Sequence, residues 1–120
     1  MPEFELYHYR ARVRSVYDGD TIRVDIDLGL RTSILNEPIR LYRIDAPELR
    51  GSEEEKRRGR AARDYLRQRI DGKQIHLRTL KDKRGKYGRY IADIWLEENG
   101  EWVNINDELV RAGHAVYKDY

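Results

Sequence analysis

Three short segments carry polar residues where strand-forming residues would be expected: Asp18-Gly19-Asp20-Thr21, Arg40-Leu41-Tyr42-Arg43-Ile44-Asp45-Ala46-Pro47-Glu48 and Lys86-Tyr87-Gly88-Arg89. Together they supply carboxylates and arginines, a combination suited to cleaving a phosphodiester. That ester is an anion, and attack by water adds further negative charge at phosphorus. Carboxylate and carbonyl oxygens are hard donors for a divalent cation, which polarises a phosphate and orients a water. A further carboxylate can take the proton of that water, a role worth roughly 10²–10⁴-fold in rate. Guanidinium groups fork onto two phosphate oxygens in a geometry lysine lacks. Each segment alone has a plainer reading: Asp-Gly is a turn dipeptide, and Pro47 ends a strand because it cannot donate to a ladder. Their coexistence in one chain is what points to chemistry.

The elements that must position them alternate in period two. Tyr7, Tyr9, Ala11 and Val13 share one parity, and His8, Arg10, Arg12 and Arg14 the other. After the Asp18-Gly19 turn, Ile22, Val24, Ile26 and Leu28 alternate with Thr21, Arg23, Asp25 and Asp27, so half-buried antiparallel strands are predicted. Gly29 to Pro38 reads as a connecting loop, and Ile39 to Ile44 as a third strand. Arg40 and Asp45 are an odd number apart, so the strand must end, twist or bulge between them if both are to serve one site. Ser52 and Glu55 have capping-box spacing, and Ala62, Tyr65, Leu66 and Ile70 recur at helical spacing, which predicts a helix over 53–70 stopped at Gly72. Ile75, Leu77 and Thr79 resume alternation before a polar loop from Lys81 to Gly88. Tyr90, Ala92, Ile94 and Leu96 give a fifth strand, turned at Asn99-Gly100. Asn106 is predicted to cap a short helix, Asp107 to Ala112, with Asn104 as an earlier alternative. This order suits an α+β, mainly β fold: a five-stranded Greek-key barrel with two α-helices packed outside, over one domain spanning 1–120.

Composition narrows the chemistry. Cysteine is absent, which excludes disulfides and thiolate metal ligands. His8, His76 and His114 lie far apart in sequence and read as surface or satisfied core residues. The 24 basic and 22 acidic residues nearly cancel, so net charge says little. Distribution says more, because Lys56 to Arg69 holds six arginines and a lysine, and Arg78 to Arg89 holds six basic residues against one acid. Beside a phosphate site such runs favour contact with nucleic acid. No apolar stretch is long enough to span a bilayer, and the acidic N-terminus does not read as a signal peptide. A soluble protein is expected, cytoplasmic or secreted with its signal removed.

From Arg12 to Ala115 the chain resembles the staphylococcal-type nuclease (thermonuclease) family, through DGDT (18–21), RLYRIDAPE (40–48), KYGR (86–89) and LVRAG (109–113). The resemblance implies an oligonucleotide-binding (OB-type) barrel and calcium-dependent cleavage of DNA or RNA, single-stranded or locally opened, by a monomer. Position by position it makes Asp20 and Asp45 the metal carboxylates and the Ala46 carbonyl a third ligand, where the family often has threonine. It makes Glu48 the residue that activates water, and Arg40 and Arg89 the phosphate-binding arginines. Lys86 and Tyr87 fall near the substrate, and Asp18 stands behind the metal carboxylates. Read as a loop, 29–38 is longer than the tight hairpin of the best-known members. Tyr117 and Tyr120 read as packing or chain-end residues rather than stacking partners of a base. The competing expectation is a non-catalytic barrel that binds nucleic acid or protein, like the degenerate nuclease-like repeats joined to Tudor domains. Such modules lose the acids and arginines that this sequence retains.

Overall fold

A computed structural model describes residues 6–84 and 88–119, and for residues 81–84 the backbone alone. The alternating apolar positions form strands β1 (His8–Asp18), β2 (Thr21–Gly29), β3 (Thr32–Leu41), β5 (Gln74–Arg84) and β6 (Tyr90–Glu98). They run antiparallel in the order β3-β2-β1-β5-β6, and a parallel pairing of β3 with β6 closes the barrel. Closure at that seam leaves the five strands without a free edge. The predicted mainly-β OB-type barrel is therefore present. Short elements extend it. Strand β7 (Glu101–Asn104) hairpins onto β6 through Asn99-Gly100, while β4 (Ile44–Asp45) pairs with β8 (Val116–Tyr117) in a separate two-stranded sheet.

Val13, Ile22, Val24, Ile39, Leu41, Ile75, Leu77 and Ile94 fill the interior and are 0–2% exposed. Each such side chain contributes about 1.5–3 kcal/mol by leaving water. Helix α1 (Glu53–Ile70) matches its predicted bounds and lays Ala62, Leu66 and Ile70 on this core. The Ser52 side chain accepts from the Glu55 amide, acids fill the first turn, and Arg67 and Arg69 oppose the dipole in the last. Two charged ties fix the helix. The Arg67 guanidinium donates to the Val16 carbonyl, and Arg69 reaches Glu98 of β6 and Glu108 of α2 (Ile105–Arg111).

Four expectations require correction. Strand β5 continues to Arg84, through the first residues of the polar loop predicted from Lys81. Residues 29–38 are not a loop: β2 runs into β3 across a tight turn in which Gly29, Leu30 and Arg31 all have positive φ. Leu30-Arg31 lacks the Asn-Gly signature of such hairpins, and register shifts in both strands scramble the alternation. The predicted third strand ends at Leu41, and β4 begins only after the Tyr42-Arg43 turn. Finally, Asn104 rather than Asn106 caps α2, accepting from the Asp107 amide. Asn106 is fully buried. Its amide group donates to the Tyr42 and Ala92 carbonyls, and its oxygen accepts from the Ile94 amide, bolting α2 to the β3–β6 seam.

Candidate active site

The turn between β1 and β2 carries the first candidate carboxylate into the protein. Gly19 and Asp20 occupy that turn, and both are buried. The Asp18 side chain accepts from the Asp20 amide at 3.1 Å, which shapes the turn as an Asx motif. The Asp20 backbone carbonyl accepts from the Leu41 amide, so the turn abuts the end of β3. There Arg43, at φ 69°, reverses the chain. This reversal resolves the parity problem between Arg40 and Asp45. Arg43 is itself held by Asp93 at 2.8 Å and Asp107 at 3.1 Å, with the Tyr117 ring beneath it.

A single network then joins the candidate residues. Arg40 lies between the two carboxylates, with Nη1 3.1 Å from Asp20 Oδ2 and Nη2 3.2 Å from Asp45 Oδ1. Asp20 Oδ2 also accepts from the Ala46 amide at 2.8 Å. On its other side, Asp20 Oδ1 accepts from the Thr21 hydroxyl at 3.3 Å, and Arg89 Nη1 donates to that hydroxyl at 3.2 Å. Asp45, Arg40, Asp20, Thr21 and Arg89 are therefore linked in sequence, with Ala46 against the central carboxylate. Asp20 is buried, whereas Asp45 is half exposed. Burial first, then the nearby Asp18 charge, raise the Asp20 carboxyl from 3.8 to about 7, against the opposing pull of Arg40.

Glu48 stands apart from this network. It is exposed, and it lines a cleft of about 520 Å³ together with Asp45, Ala46, Arg57, Arg58 and His114. Lys86 and Tyr87 lie outside the described residues, so the network contains Asp20, Arg40, Asp45, Ala46 and Arg89 from the predicted set, with Asp18 beside it.

Two glycines let the three elements meet. A Cβ at Gly19 would fall 2.7 Å from the Ala46 methyl and 2.8 Å from that of Ala62 on α1. A Cβ at Gly59, inside α1, would fall 2.2 Å from the Glu48 carbonyl oxygen. The β1–β2 turn, the Asp45–Glu48 segment and the helix approach one another too closely for any side chain at either position. Sequence reasoning missed Gly59 and the bridging role of Thr21. The signal for Gly59 was present, since a glycine inside a strongly predicted helix costs about 1 kcal/mol relative to alanine and calls for a reason. It missed also that His8 and His76 come together, with Nδ1 and Nε2 2.7 Å apart.

Among the described residues, no three His, Asp or Glu side chains cluster as a cage for an ion. The donors that could hold one are Asp20, Asp45 and a backbone oxygen. Their chemistry fits a hard divalent cation: two carboxylates share one positive partner, and the buried member holds its negative charge at a cost that a cation would relieve.

The family model described as staphylococcal nuclease homologue matches residues 38–120. The chain belongs to that family. Among curated relatives, this family member is 30% identical over 109 residues to a thermonuclease of Staphylococcus intermedius and 29% identical over 110 residues to one of Staphylococcus hyicus. It is 27% identical over 121 residues to an uncharacterized protein of Methanocaldococcus jannaschii. Each alignment covers 90–91% of this chain, and the chain spans 58–59% of those relatives' lengths. No helix among its described residues is long and apolar enough to cross a membrane.

Proposed function

We propose that this chain is a calcium-dependent endonuclease that hydrolyses phosphodiester bonds of DNA or RNA. The observation that carries this reading is the Arg40 guanidinium held between Asp20 and Asp45, with Arg89 tied to the same carboxylate through Thr21. Asp20, Asp45 and the Ala46 carbonyl would hold the ion. When bound, calcium supplies Lewis-acid polarisation of the phosphate and a place for the attacking water.

The side chains do the rest. Arg40, which now spends its N–H groups on carboxylate oxygens, would trade them for phosphate oxygens once those carboxylates have another positive partner. Arg89 meets the substrate from the opposite side of Asp20. Two guanidinium groups aimed at developing phosphate charge are each worth about 3 kcal/mol, by analogy with a single oxyanion donor. Glu48, exposed on the cleft beside Asp45, takes the proton from water. Thr21 orients Arg89 and Asp20 together, because its hydroxyl donates to one while accepting from the other.

Incubation with single-stranded DNA tests the reading. Cleavage is expected in calcium, none in excess chelator, and a loss of about 10²–10⁴-fold in Glu48→Gln. Cleavage that persists in chelator, or is indifferent to Glu48→Gln, contradicts it. Binding without cleavage points instead to a non-catalytic module.

A further inference from the structure

The sheet surface across β1, β5, β6 and β7 carries a second concentration of chemistry that the candidate site does not use. The outward residues of β1 and β5 alternate arginine with histidine: His8 stands opposite Arg78, and Arg10 opposite His76. The two imidazoles meet at 2.7 Å, and His76 lies edge-on to Trp95 at 5.9 Å and to Trp102 at 5.8 Å. His8, His76, Trp95 and Trp102 line a cavity of about 330 Å³. His8 also lines the two neighbouring grooves, one containing Arg10 and Trp102 and the other containing Tyr42, Arg78 and Ile91. The three hollows therefore form one continuous track. Its Tyr42 end reaches the β3–β6 seam, where Ile91 is the ladder partner of Arg40.

We propose that this track is a docking surface for single-stranded nucleic acid, which stacks bases on the Trp102 and His76 rings and places phosphates at Arg10 and Arg78. Trp102 is 57% exposed on a short edge strand, so its ring is open to a stacking partner while it stays edge-on to His76. Rings interleaved with guanidinium groups are what a flexible strand needs, since every base has a face to stack and every linkage has a charge. Of the acids on the track, Asp93 is already neutralised by Arg43, leaving Glu97 against two arginines. Arg10 on β1 and Arg78 on β5 are diagonal neighbours across the ladder that pairs His8 with Arg78 and Arg10 with His76, about 7–8 Å apart, which is nucleotide-scale spacing. Continuity with the Arg40 seam gives the surface a role: it holds the flanking part of a long substrate whose scissile bond lies at Asp20 and Asp45. The proposal deepens the nuclease reading and rests on it for that role, though not for binding.

Both tryptophans of the chain lie on this track, so their fluorescence reports its occupancy directly. A dodecamer of thymidylate in chelator is expected to quench the wild-type protein. Its affinity should fall about tenfold to a hundredfold in Trp102→Ala, recover in Trp102→Phe, and show a salt slope shallower by about one in Arg78→Gln. In calcium, Trp102→Ala should raise KM for the dodecamer while leaving kcat, and cleavage of a trinucleotide, unchanged. Wild-type dodecamer affinity in both Trp102→Ala and Arg78→Gln overturns the proposal. So does a concentration-dependent dimer that Trp102→Ala abolishes without altering dodecamer binding, which would make this face a self-association surface. Weakened dodecamer binding in a protein that cleaves nothing would uphold the surface and refute the nuclease reading alone.

Discussion

Gly59→Ala should damage the chain in a way that helix propensity alone would not predict. At an exposed helical site the change stabilises by about 1 kcal/mol. Here the added methyl would sit 2.2 Å from the Glu48 carbonyl oxygen, 2.8 Å from its carbon and 3.3 Å from the Leu49 nitrogen. All three contacts are backbone, so no side chain can swing away, and relief requires the helix and the Glu48 segment to part by about 1 Å. Overpacking costs about 1–3 kcal/mol, and against rigid backbone the upper half of that range applies, so after the propensity gain a net loss of about 1–2 kcal/mol is expected. For a chain of this size that lowers Tm by roughly 4–12 °C. The functional loss should be larger than the stability loss. A displacement near 1 Å of a group that must meet one proton costs about 10²-fold in kcat, and Glu48 shares the displaced segment with Asp45 and Ala46. Thermal unfolding followed by circular dichroism, with single-stranded DNA cleavage on the folded variant, separates the two effects. An unchanged or raised Tm together with kcat within twofold of wild type would refute the close-approach argument.

Three further predictions concern the frame and its charges. Arg69→Ala breaks the ties from α1 to the more exposed Glu98 and the better shielded Glu108 and should lower the urea midpoint measurably; an unchanged midpoint would reduce them to surface pairs. Asn106→Leu removes the partner of the Ile94 amide and one donor each to the Tyr42 and Ala92 carbonyls, and should cost about 2–3 kcal/mol by the same assay, whereas neutrality would mean that the seam does not depend on this side chain. The raised Asp20 carboxyl gives a signed pH effect. Between 3.8 and about 7 the folded chain holds a proton that the unfolded chain has released, so in chelator this group makes stability fall as pH rises through that window, by at most a few kcal/mol, and level off above it. Asp20→Asn should remove that component of the slope; an identical pH profile in the variant would contradict the assignment.

How much of this was legible in the sequence depends on whether a signal was local. Helix α1 was, because Ser52, its acidic first turn and the Ala62-Leu66-Ile70 spacing all act within one element. The barrel strands were legible wherever one face is buried, as in β2, where Ile22, Val24 and Ile26 alternate with exposed or partly exposed partners. The β2–β3 hairpin was not, because its turn depends on positive φ at Leu30 and Arg31, residues that carry no turn signature. The site divides in the same way. Asp20, Arg40, Asp45 and Arg89 could be named from residue type and motif, and the fold does link them. Arg40 as a bridge between the two acids could not be foreseen, since it depends on the Tyr42-Arg43 reversal, which in turn depends on Asp93 and Asp107 far along the chain. Neither could the histidine pair, which sequence spacing kept apart and the β1–β5 register brought together.

The proposed chemistry requires Asp20 and Asp45 to serve one ion beside Arg40 and Arg89. Calorimetric titration of calcium into the wild-type chain, Asp20→Asn and Asp45→Asn at pH 8 tests it most directly. One calcium per chain is expected in the wild type, with affinity reduced at least about tenfold in each variant, since each removes one anionic oxygen ligand. Wild-type affinity in both variants would place the ion elsewhere and contradict the account.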